Sequence, residues 1–578
     1  MTHLNWTVLL DGPVLPDRAA VGGKAWSIAW MRSLGLNVPP AFVVTTQACL
    51  AYLEHGVVPA ELEEEITAGL AWLEAQTGRR FGDAQSPLLL SIRSGAAISM
   101  PGMMDTVLNL GINEATEQAL AHETGRPEFA RDTHRRFCEL YAAIVLKLPA
   151  LHLAPDAGPA VWRDQIGALG GSMPTDGRDQ IRAAVLAVFD SWNTRRARRY
   201  REHNNIPHDL GTAVTIQAMV FGNLDEDSGT GVLFSRNPLT GERKPFGEYL
   251  PRAQGEDVVS GKFTPLPLEA MQERVAPALA ELLAASECLE QAHRDMQDIE
   301  FTVQRGKLYL LQARSDKRSP AAAVVAAVDM VEEGIIDAGI ALKRVTAEQV
   351  RTLLLPRLAE GANKDATMVA TGEGACPGVA AGVAVGDTDE AERRAALGEA
   401  VILVRKITSP DDVHGMIAAR GVITEQGGAT SHAAVVSRAL GRPCVVGIGE
   451  GASTALLGRK LTVDGATGRV YAGEMAVITP DEAADHRLSQ LIVWARALTE
   501  IQVVTPAQAP VNVAFVDLDA CDDPSIERLP QLLAGAAAAK GAILASPEAA
   551  RIAIAQGVRL LITQPVLPAL LTALEQPQ

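Results

Sequence analysis

The sequence predicts a multidomain protein of the mixed α/β class, with both α/β and α+β domains. Three observations lead to this prediction. The chain has 578 residues, enough for several domains that each bury their own core. Residues 127–207 are helical and strongly charged, whereas residues 214–259 and residues 370–471 contain short β-branched strands separated by glycine turns. Helical and glycine-punctuated strand regions therefore alternate along the chain.

Lys24 near the N-terminus is the first candidate for binding a phosphate group. It follows Gly22 and Gly23 at the expected start of a helix, where unpaired backbone N–H groups and a lysine charge suit an anion. A solvated surface lysine is the alternative. Residues 88–95 form a predicted buried strand that contains Arg93, whose guanidinium would bind phosphate through two hydrogen bonds.

A loop rich in glycine and methionine follows this strand, from Ala96 to Leu110. Its backbone amides could cover a triphosphate. Methionine clusters are also typical of core packing, so the pattern alone leaves both interpretations open.

A predicted hairpin over residues 298–314 carries two polar pairs. Asp298 and Glu300 stand at i and i+2 on a strand, so their side chains share one face. Gln312 and Arg314 repeat this alternation on the second strand. Paired carboxylates on one face hold Mg²⁺ against bound phosphates. A hairpin with surface salt bridges is the alternative.

The most informative stretch is a strand, a Gly-Gly turn and a helix around His432. Residues 421–424 predict the strand, and Thr430 or Ser431 would cap the helix that follows. His432 then lies in the first turn, where the positive helix end keeps the imidazole neutral and nucleophilic. The same free N–H groups would stabilise a phosphoryl group on the ring.

Composition excludes several classes of partner. The formal net charge is −17 and aromatic residues make up 4%, which argues against nucleic acid. We find no secretory signal and no apolar run long enough for a membrane helix, so no membrane partner is expected. The six cysteines have no CxxC spacing, which favours a reducing cytoplasm over a zinc cluster or a disulfide framework.

The run from Gly427 to Arg438 resembles the phosphohistidine motif of the pyruvate, phosphate dikinase and phosphoenolpyruvate synthase family. Residues 402–412 and residues 91–106 are similar to the dikinase branch in particular. Residues 214–259 resemble the nucleotide-binding half of an ATP-grasp domain. In agreement with this, the sequence has no GxxxxGK[ST] motif, which excludes a P-loop kinase.

The resemblance predicts four regions. Residues 1–318 would form an ATP-grasp-type domain and residues 319–368 a helical linker with a hinge near Gly361-Ala362-Asn363. Residues 369–476 would form the swivelling phosphohistidine domain, and residues 477–578 a short C-terminal α/β segment. The resemblance fades after Ala476, and the roughly 80 residues at the end are too few for the family's phosphoenolpyruvate/pyruvate barrel of about 250 residues.

The resemblance also implies a reaction and a set of roles. Mg-ATP would transfer a pyrophosphoryl group to His432, with release of AMP. The phosphates would be bound by Lys24, Arg93, Gln312 and Arg314, and Mg²⁺ by Asp298 and Glu300. The γ-phosphate then passes to inorganic phosphate in a dikinase and to water in a synthase, and the Thr430-Ser431-His432 context favours the dikinase. Thr430 matches the position at which plant dikinases are regulated by phosphorylation.

Three functional hypotheses follow from this reading. In the first, a dikinase-like phosphotransferase passes phosphate to pyruvate or another compound on a separate acceptor subunit. In the second, a truncated relative, dikinase- or synthase-like, performs the ATP half-reaction alone. In the third, the protein is a non-catalytic nucleotide-binding or interaction protein, although suitable residues fill every implied phosphate and metal position. The sequence does not identify the acceptor, and a homo-oligomer is left open.

Overall fold

The computed structural model describes residues 6–12, 14–98, 100, 106–259, 263–315, 318–354, 357–358, 362, 366–440, 442–475, 477–478, 480–521 and 526–575. Ser99 and residues 101–105 of the glycine- and methionine-rich loop lie outside this set, and so do Gly361 and Asn363 of the expected hinge. The predicted α/β and α+β character is confirmed.

The N-terminal half, residues 6–315, is built on two antiparallel five-stranded sheets. The first sheet has the strand order Thr7–Leu9, Ala41–Val44, Ala213–Ala218, Leu90–Gly95, Thr106–Leu110. The second sheet has the order Leu266–Pro267, Phe246–Pro251, Gly229–Phe234, Gln297–Gln304, Lys307–Ser315. A minor two-stranded sheet pairs Arg80–Phe81 with Pro87–Leu88.

Helices cover both faces of the first sheet. The α-helices of this half are Arg18–Ser33, Thr46–His55, Leu62–Thr77, Glu114–Thr124, Pro127–Ile144, Pro159–Ala168, Gly177–Ser191, Arg195–His203, Gly255–Val259, Met271–Arg274 and Ala276–His293. On one face, Phe42 and Ile216 pack with a helical layer that includes Trp162. On the other face, Val43 shares a core with Phe301 of the second sheet. Helix Arg18–Ser33 belongs to the same core and contacts strands of both sheets, so it connects them.

A separate domain, which we call the His432 domain, follows the N-terminal half and spans residues 368–472. Its eight-stranded sheet has the order Met368–Thr371, Arg469–Ala472, Lys460–Asp464, Val379–Val385, Val401–Arg405, Gly421–Thr424, Cys444–Val446, Glu373–Cys376. Its α-helices are Thr388–Ala396, Val413–Ala418 and His432–Leu440. The chain enters and leaves close together, because Arg357–Leu358 pairs with Val477–Ile478 as an antiparallel ribbon.

The linker helices and the C-terminal segment form one further body. The linker helices are Pro320–Glu332, Ala338–Arg344 and Ala347–Leu353. The C-terminal segment contains a parallel sheet in the order Gln502–Val504, Leu560–Ile562, Ala538–Lys540, Val516–Asp517, with the helices His486–Leu498, Leu529–Leu532, Pro547–Ala555 and Leu567–Glu575. A single apolar core runs through both parts. The segment is therefore larger than the one helix and strand recognisable in its sequence.

A search of the described helices finds none that is both long and apolar enough to cross a membrane.

Candidate active site

The polar hairpin of the second sheet brings four of the predicted site residues together. Asp298 is the register partner of Arg314, and Glu300 is the partner of Gln312. Arg314 donates through Nε to Asp298 Oδ2 at 2.7 Å, and its second nitrogen lies 3.9 Å from Glu300 Oε1. The alternation seen in the sequence therefore produces one polar face.

Asp298 is the most buried member of this face. Its side chain is only 7% exposed. Burial raises the pKa of the Asp298 carboxyl, with the Arg314 charge opposing this shift. Oδ1 of Asp298 is buried and has no hydrogen-bond partner among the described residues. The ion pair with Arg314 thus satisfies one carboxylate oxygen and leaves the other available to a ligand.

Lys24 reaches the same cluster because the backbone at Gly22 approaches the first sheet very closely. Gly22 has φ 76° inside the helix Arg18–Ser33, and a Cβ there would lie 2.1 Å from Gly95 O. Only glycine fits both the left-handed conformation and this contact. Gly23 N then donates to Ala96 O at 2.9 Å, which fixes Lys24 against the strand that carries Arg93.

The charges around Lys24 show that the predicted phosphate ligands form one cluster. The pKa of Lys24 is lowered to about 8, chiefly by burial and next by the Arg93 guanidinium. Arg314 lowers this pKa further, whereas Glu300 raises it. Lys24 of helix Arg18–Ser33 therefore lies close to an arginine from each of the two sheets, an arrangement that favours a polyanionic ligand.

His432 begins the helix His432–Leu440, as the strand, turn and helix pattern predicts. Ser431 serves as the cap, because Ala434 N donates to Ser431 Oγ at 3.5 Å. His432 Nδ1 lies 3.2 Å from Thr408 Oγ1, while Nε2 is buried and has no hydrogen-bond partner among the described residues. Burial lowers the pKa of His432 and the charge of Asp412 opposes this shift, so the net effect favours the neutral ring.

The turn before His432 is docked on the second sheet of the N-terminal half. The hydroxyl of Thr430 donates to Glu248 Oε2, on the strand Phe246–Pro251. A Cβ on Gly428 would lie 2.5 Å from Glu248 Oε1, so this glycine lets the carboxylate approach the backbone. Ala429 N donates to Glu373 Oε2 at 3.0 Å. Thr430 is thus a docking residue in this structure and not the helix cap.

Further contacts support this docking. Arg196 of the N-terminal half forms an ion pair with Asp411 of the His432 domain, with 3.6 Å between nitrogen and oxygen. The guanidinium of Arg438 stands 5.9 Å from the ring of Phe234 and donates to Ala429 O at 2.8 Å. These contacts place the helix of His432 against the sheet that carries Asp298 and Glu300.

Sequence reasoning missed three polar residues at this interface. Thr408 lies within the run 402–412 that resembles the dikinase branch, so a signal for it was present. Glu248 also lies within a region of recognised resemblance, but its partner Thr430 is 182 residues away. Glu373 had no comparable signal.

Two family profiles match the chain. One, described as pyruvate phosphate dikinase, AMP/ATP-binding domain, matches residues 18–68, 55–275 and 267–334. The other, described as PEP-utilising enzyme, mobile domain, matches residues 397–468, which include His432.

Several curated proteins are similar over most of the chain. Pyruvate, phosphate dikinase of Clostridium symbiosum is 40% identical over 532 residues, which cover 85% of this chain and 60% of that protein. Pyruvate, phosphate dikinase 2 of Oryza sativa subsp. japonica is 42% identical over 528 residues, with 85% and 59% covered. The dikinase of Rhizobium meliloti is 42% identical over 544 residues, with 86% and 60% covered. The chain thus spans about 60% of the length of these relatives.

Proposed function

Because the chain belongs to the pyruvate, phosphate dikinase family, we propose that it is a dikinase-type phosphotransferase that uses Mg-ATP to phosphorylate its own His432. One observation carries the proposal. His432, whose Nε2 has no hydrogen-bond partner within the described part of the chain, is docked on the sheet whose hairpin carries Arg314, and Arg314 lies near Lys24. This arrangement suits transfer from a polyphosphate to histidine.

In this proposal the cationic cluster binds the phosphates of ATP. Arg93 and Arg314 provide guanidinium groups that bind phosphate oxygens in pairs, and Gln312 donates an amide N–H. Lys24 places its charge among them. Burial lowers the pKa of Lys24, and a bound anionic ligand raises it again, so that the amine keeps its proton. These roles agree with those that the resemblance implies.

The carboxylates fit a magnesium ion. Asp298 has a buried oxygen without a hydrogen-bond partner among the described residues, and Glu300 follows on the same face of the strand. Carboxylate oxygens of this kind are the ligands that Mg²⁺ prefers beside phosphates. When bound, the ion would neutralise charge on the transferred group. We assign it to Asp298 and Glu300.

His432 is the proposed nucleophile. In the reactive tautomer Nδ1–H donates a hydrogen bond to Thr408 Oγ1, which leaves the lone pair on Nε2 for attack. Nε2 bonds to the β-phosphorus while the bond from that phosphorus to the α,β-bridging oxygen breaks, so AMP leaves and a pyrophosphoryl-histidine forms. The γ-phosphate then passes to inorganic phosphate, as in a dikinase; transfer to water, as in the synthase, is the alternative.

The final acceptor is proposed to be pyruvate or another compound bound on a separate acceptor subunit. The names of the relatives support pyruvate. The paired ribbon of Arg357–Leu358 and Val477–Ile478 supports movement of the whole His432 domain between two sites, because both of its connections lie together.

The six free cysteines of the chain suit a reducing compartment such as the cytoplasm.

Thr430 is the proposed regulatory position. Its hydroxyl donates to Glu248 in the docked arrangement. A phosphoryl group there would bring two negative charges against the Glu248 carboxylate and block docking.

The test is incubation with ATP labelled at the β-phosphate in the presence of Mg²⁺. We expect acid-labile label on the protein in stoichiometric amount, with AMP as the released nucleotide. Bound but intact ATP, with no label on the protein, would instead favour a nucleotide-binding protein without catalysis. Addition of pyruvate and the candidate acceptor subunit should then yield phosphoenolpyruvate, and neither component alone should do so.

A further inference from the structure

Two carboxylates from different units converge on the turn that precedes His432. Glu248 comes from the N-terminal half, and Glu373 begins the edge strand Glu373–Cys376 of the His432 domain. Ala429 N donates to Glu373 Oε2 at 3.0 Å, whereas Glu248 accepts from the hydroxyl of the next residue, Thr430. The two carboxylates thus bind neighbouring residues of one turn.

Only one of these carboxylates travels with the histidine. When the His432 domain leaves the N-terminal half, the Glu248 contacts are lost, whereas the contact between Glu373 and Ala429 lies within the domain. Arg438 supports the same turn from inside the domain, with donations to Ala429 O at 2.8 Å and to Ala375 O at 3.2 Å. Glu373 and Arg438 therefore bind the turn from within its own domain, through hydrogen bonds that undocking does not need to break.

The two glutamates, Glu248 and Glu373, oppose docking electrostatically. Burial raises the pKa of both glutamates, and the charge of Glu373 raises the pKa of Glu248 further. Arg438, the Thr430 hydroxyl and the Ala429 N–H act in the opposite direction. Because docking brings two like charges to one turn and removes water from them, it costs free energy that undocking returns.

We propose that Glu373 is a positioning residue that presets the turn through the Ala429 N–H and, through its charge against Glu248, keeps docking of His432 reversible. The inference rests on the proposed function, because a histidine that must visit a second site needs a docked state that forms accurately and also releases. A carboxylate suits both roles, since its oxygen accepts the hydrogen bond and its charge limits the lifetime of the contact.

The test compares Glu373→Gln and Glu373→Ala with wild type in two measurements. Glutamine keeps an oxygen that accepts from Ala429 and removes the charge, whereas alanine removes both. Hydrogen exchange of residues 246–251 and 427–431, followed by mass spectrometry without ATP, reports the docked fraction. Single-turnover AMP formation reports alignment of His432. Glu392→Gln is the matched control, because Glu392 is an exposed glutamate of the same domain.

We expect exchange in both segments to slow by about fivefold in Glu373→Gln, within the range of a single partly exposed charge pair. The AMP burst should stay at the wild-type rate in Glu373→Gln and slow by at least about fivefold in Glu373→Ala, the effect of losing one hydrogen bond. Glu392→Gln should match wild type in both measurements.

Equal exchange in Glu373→Gln and wild type would overturn the role of charge, and equal AMP bursts in wild type and Glu373→Ala would overturn the positioning role. Failure of the proposed function looks different, because wild type itself would then form no AMP. The exchange comparison does not depend on that reaction.

Discussion

The imidazole of His432 has one nitrogen engaged and one nitrogen free. Nδ1 lies 3.2 Å from Thr408 Oγ1, and Nε2 is buried without a partner among the described residues. A buried polar atom of this kind costs free energy unless a ligand completes it. At the residue scale, Thr408 therefore orients the ring of His432 through its contact with Nδ1.

Thr408→Val tests this dependence. We expect single-turnover AMP formation to slow by about tenfold, because the loss of one hydrogen bond of about 1 to 2 kcal/mol lets the ring rotate away from its reactive orientation. Thr408→Ser keeps the hydroxyl and should stay near the wild-type rate. Equal rates in the valine variant and in wild type would show that Thr408 does not orient the ring.

Lys24 gives a pH prediction at the same scale. Its pKa of about 8 in the ligand-free protein means that half of the molecules lack this proton at pH 8. Bound phosphates favour the charged form, so ATP binding takes up a proton near and above that pH. Affinity is thus full below the free pKa and declines as pH rises through it, by up to about tenfold per pH unit.

Isothermal calorimetry at pH 7 and pH 9, in buffers of different ionisation enthalpy, measures this uptake. Lys24→Arg keeps its charge at both pH values, so its ATP affinity should not fall in this way. If wild type bound ATP without proton uptake at pH 9, Lys24 would not face the phosphates.

At the scale of elements, the turn between strand Gly421–Thr424 and helix His432–Leu440 determines how the histidine is presented. The two glycines of this turn have different structural roles. Gly427 has φ 110°, a conformation that favours glycine, whereas Gly428 provides room for a carboxylate of the other unit.

Gly428→Ala is expected to impair docking and leave nucleotide binding intact. The added Cβ would lie 2.5 Å from Glu248 Oε1, so the turn must move away from the sheet. AMP formation should fall by at least about tenfold, since misplacement of a reacting atom by about an ångström costs this much or more. ATP affinity, measured by calorimetry, should stay unchanged. Gly167→Ala is the control, because a Cβ at Gly167 meets nothing within 4 Å; a normal AMP rate in Gly428→Ala would contradict the docked arrangement.

The local elements of the site were predictable from sequence, whereas its contacts across units were not. The alternation of Asp298 with Glu300 fixes their shared face, and the glycine pair marks the start of the His432 helix. By contrast, the contact between Thr430 and Glu248 joins residues 182 positions apart, and no local pattern encodes it. Glu373 was missed for the same reason, since its partner Ala429 is 56 positions away.

The C-terminal sheet was harder to recognise for a different reason. Its strands have only two or three residues each, too short for a periodic pattern to stand out. Much of its stability comes from packing against the linker helices, a tertiary effect that local propensity does not report.

At the scale of the whole molecule, the C-terminal segment and the linker share one core. Leu570 of helix Leu567–Glu575 is fully buried in this core, together with Val350 of helix Ala347–Leu353. Arg487 of the C-terminal segment joins the two parts, because its Nε donates to Asp329 Oδ1 of the linker helix Pro320–Glu332 at 3.1 Å. The two parts should therefore unfold together.

Leu570→Ala tests this shared core. The cavity should lower the free energy of unfolding by about 2 to 5 kcal/mol. Hydrogen exchange should rise in Ala347–Leu353 as well as in Leu567–Glu575. Leu498→Ala, at a leucine that is 46% exposed, should have little effect. Faster exchange confined to the C-terminal helix would contradict a common core.

Dikinase-type chemistry in this chain requires that the transferred phosphate of ATP pass through His432. Rapid-quench measurement of AMP formation in a single turnover, with His432→Ala beside wild type, tests this most directly. We predict one AMP per wild-type chain, and no AMP above background from the variant, although the variant still binds ATP with wild-type affinity because the cationic cluster is unchanged. AMP formation by His432→Ala at the wild-type rate would contradict the account.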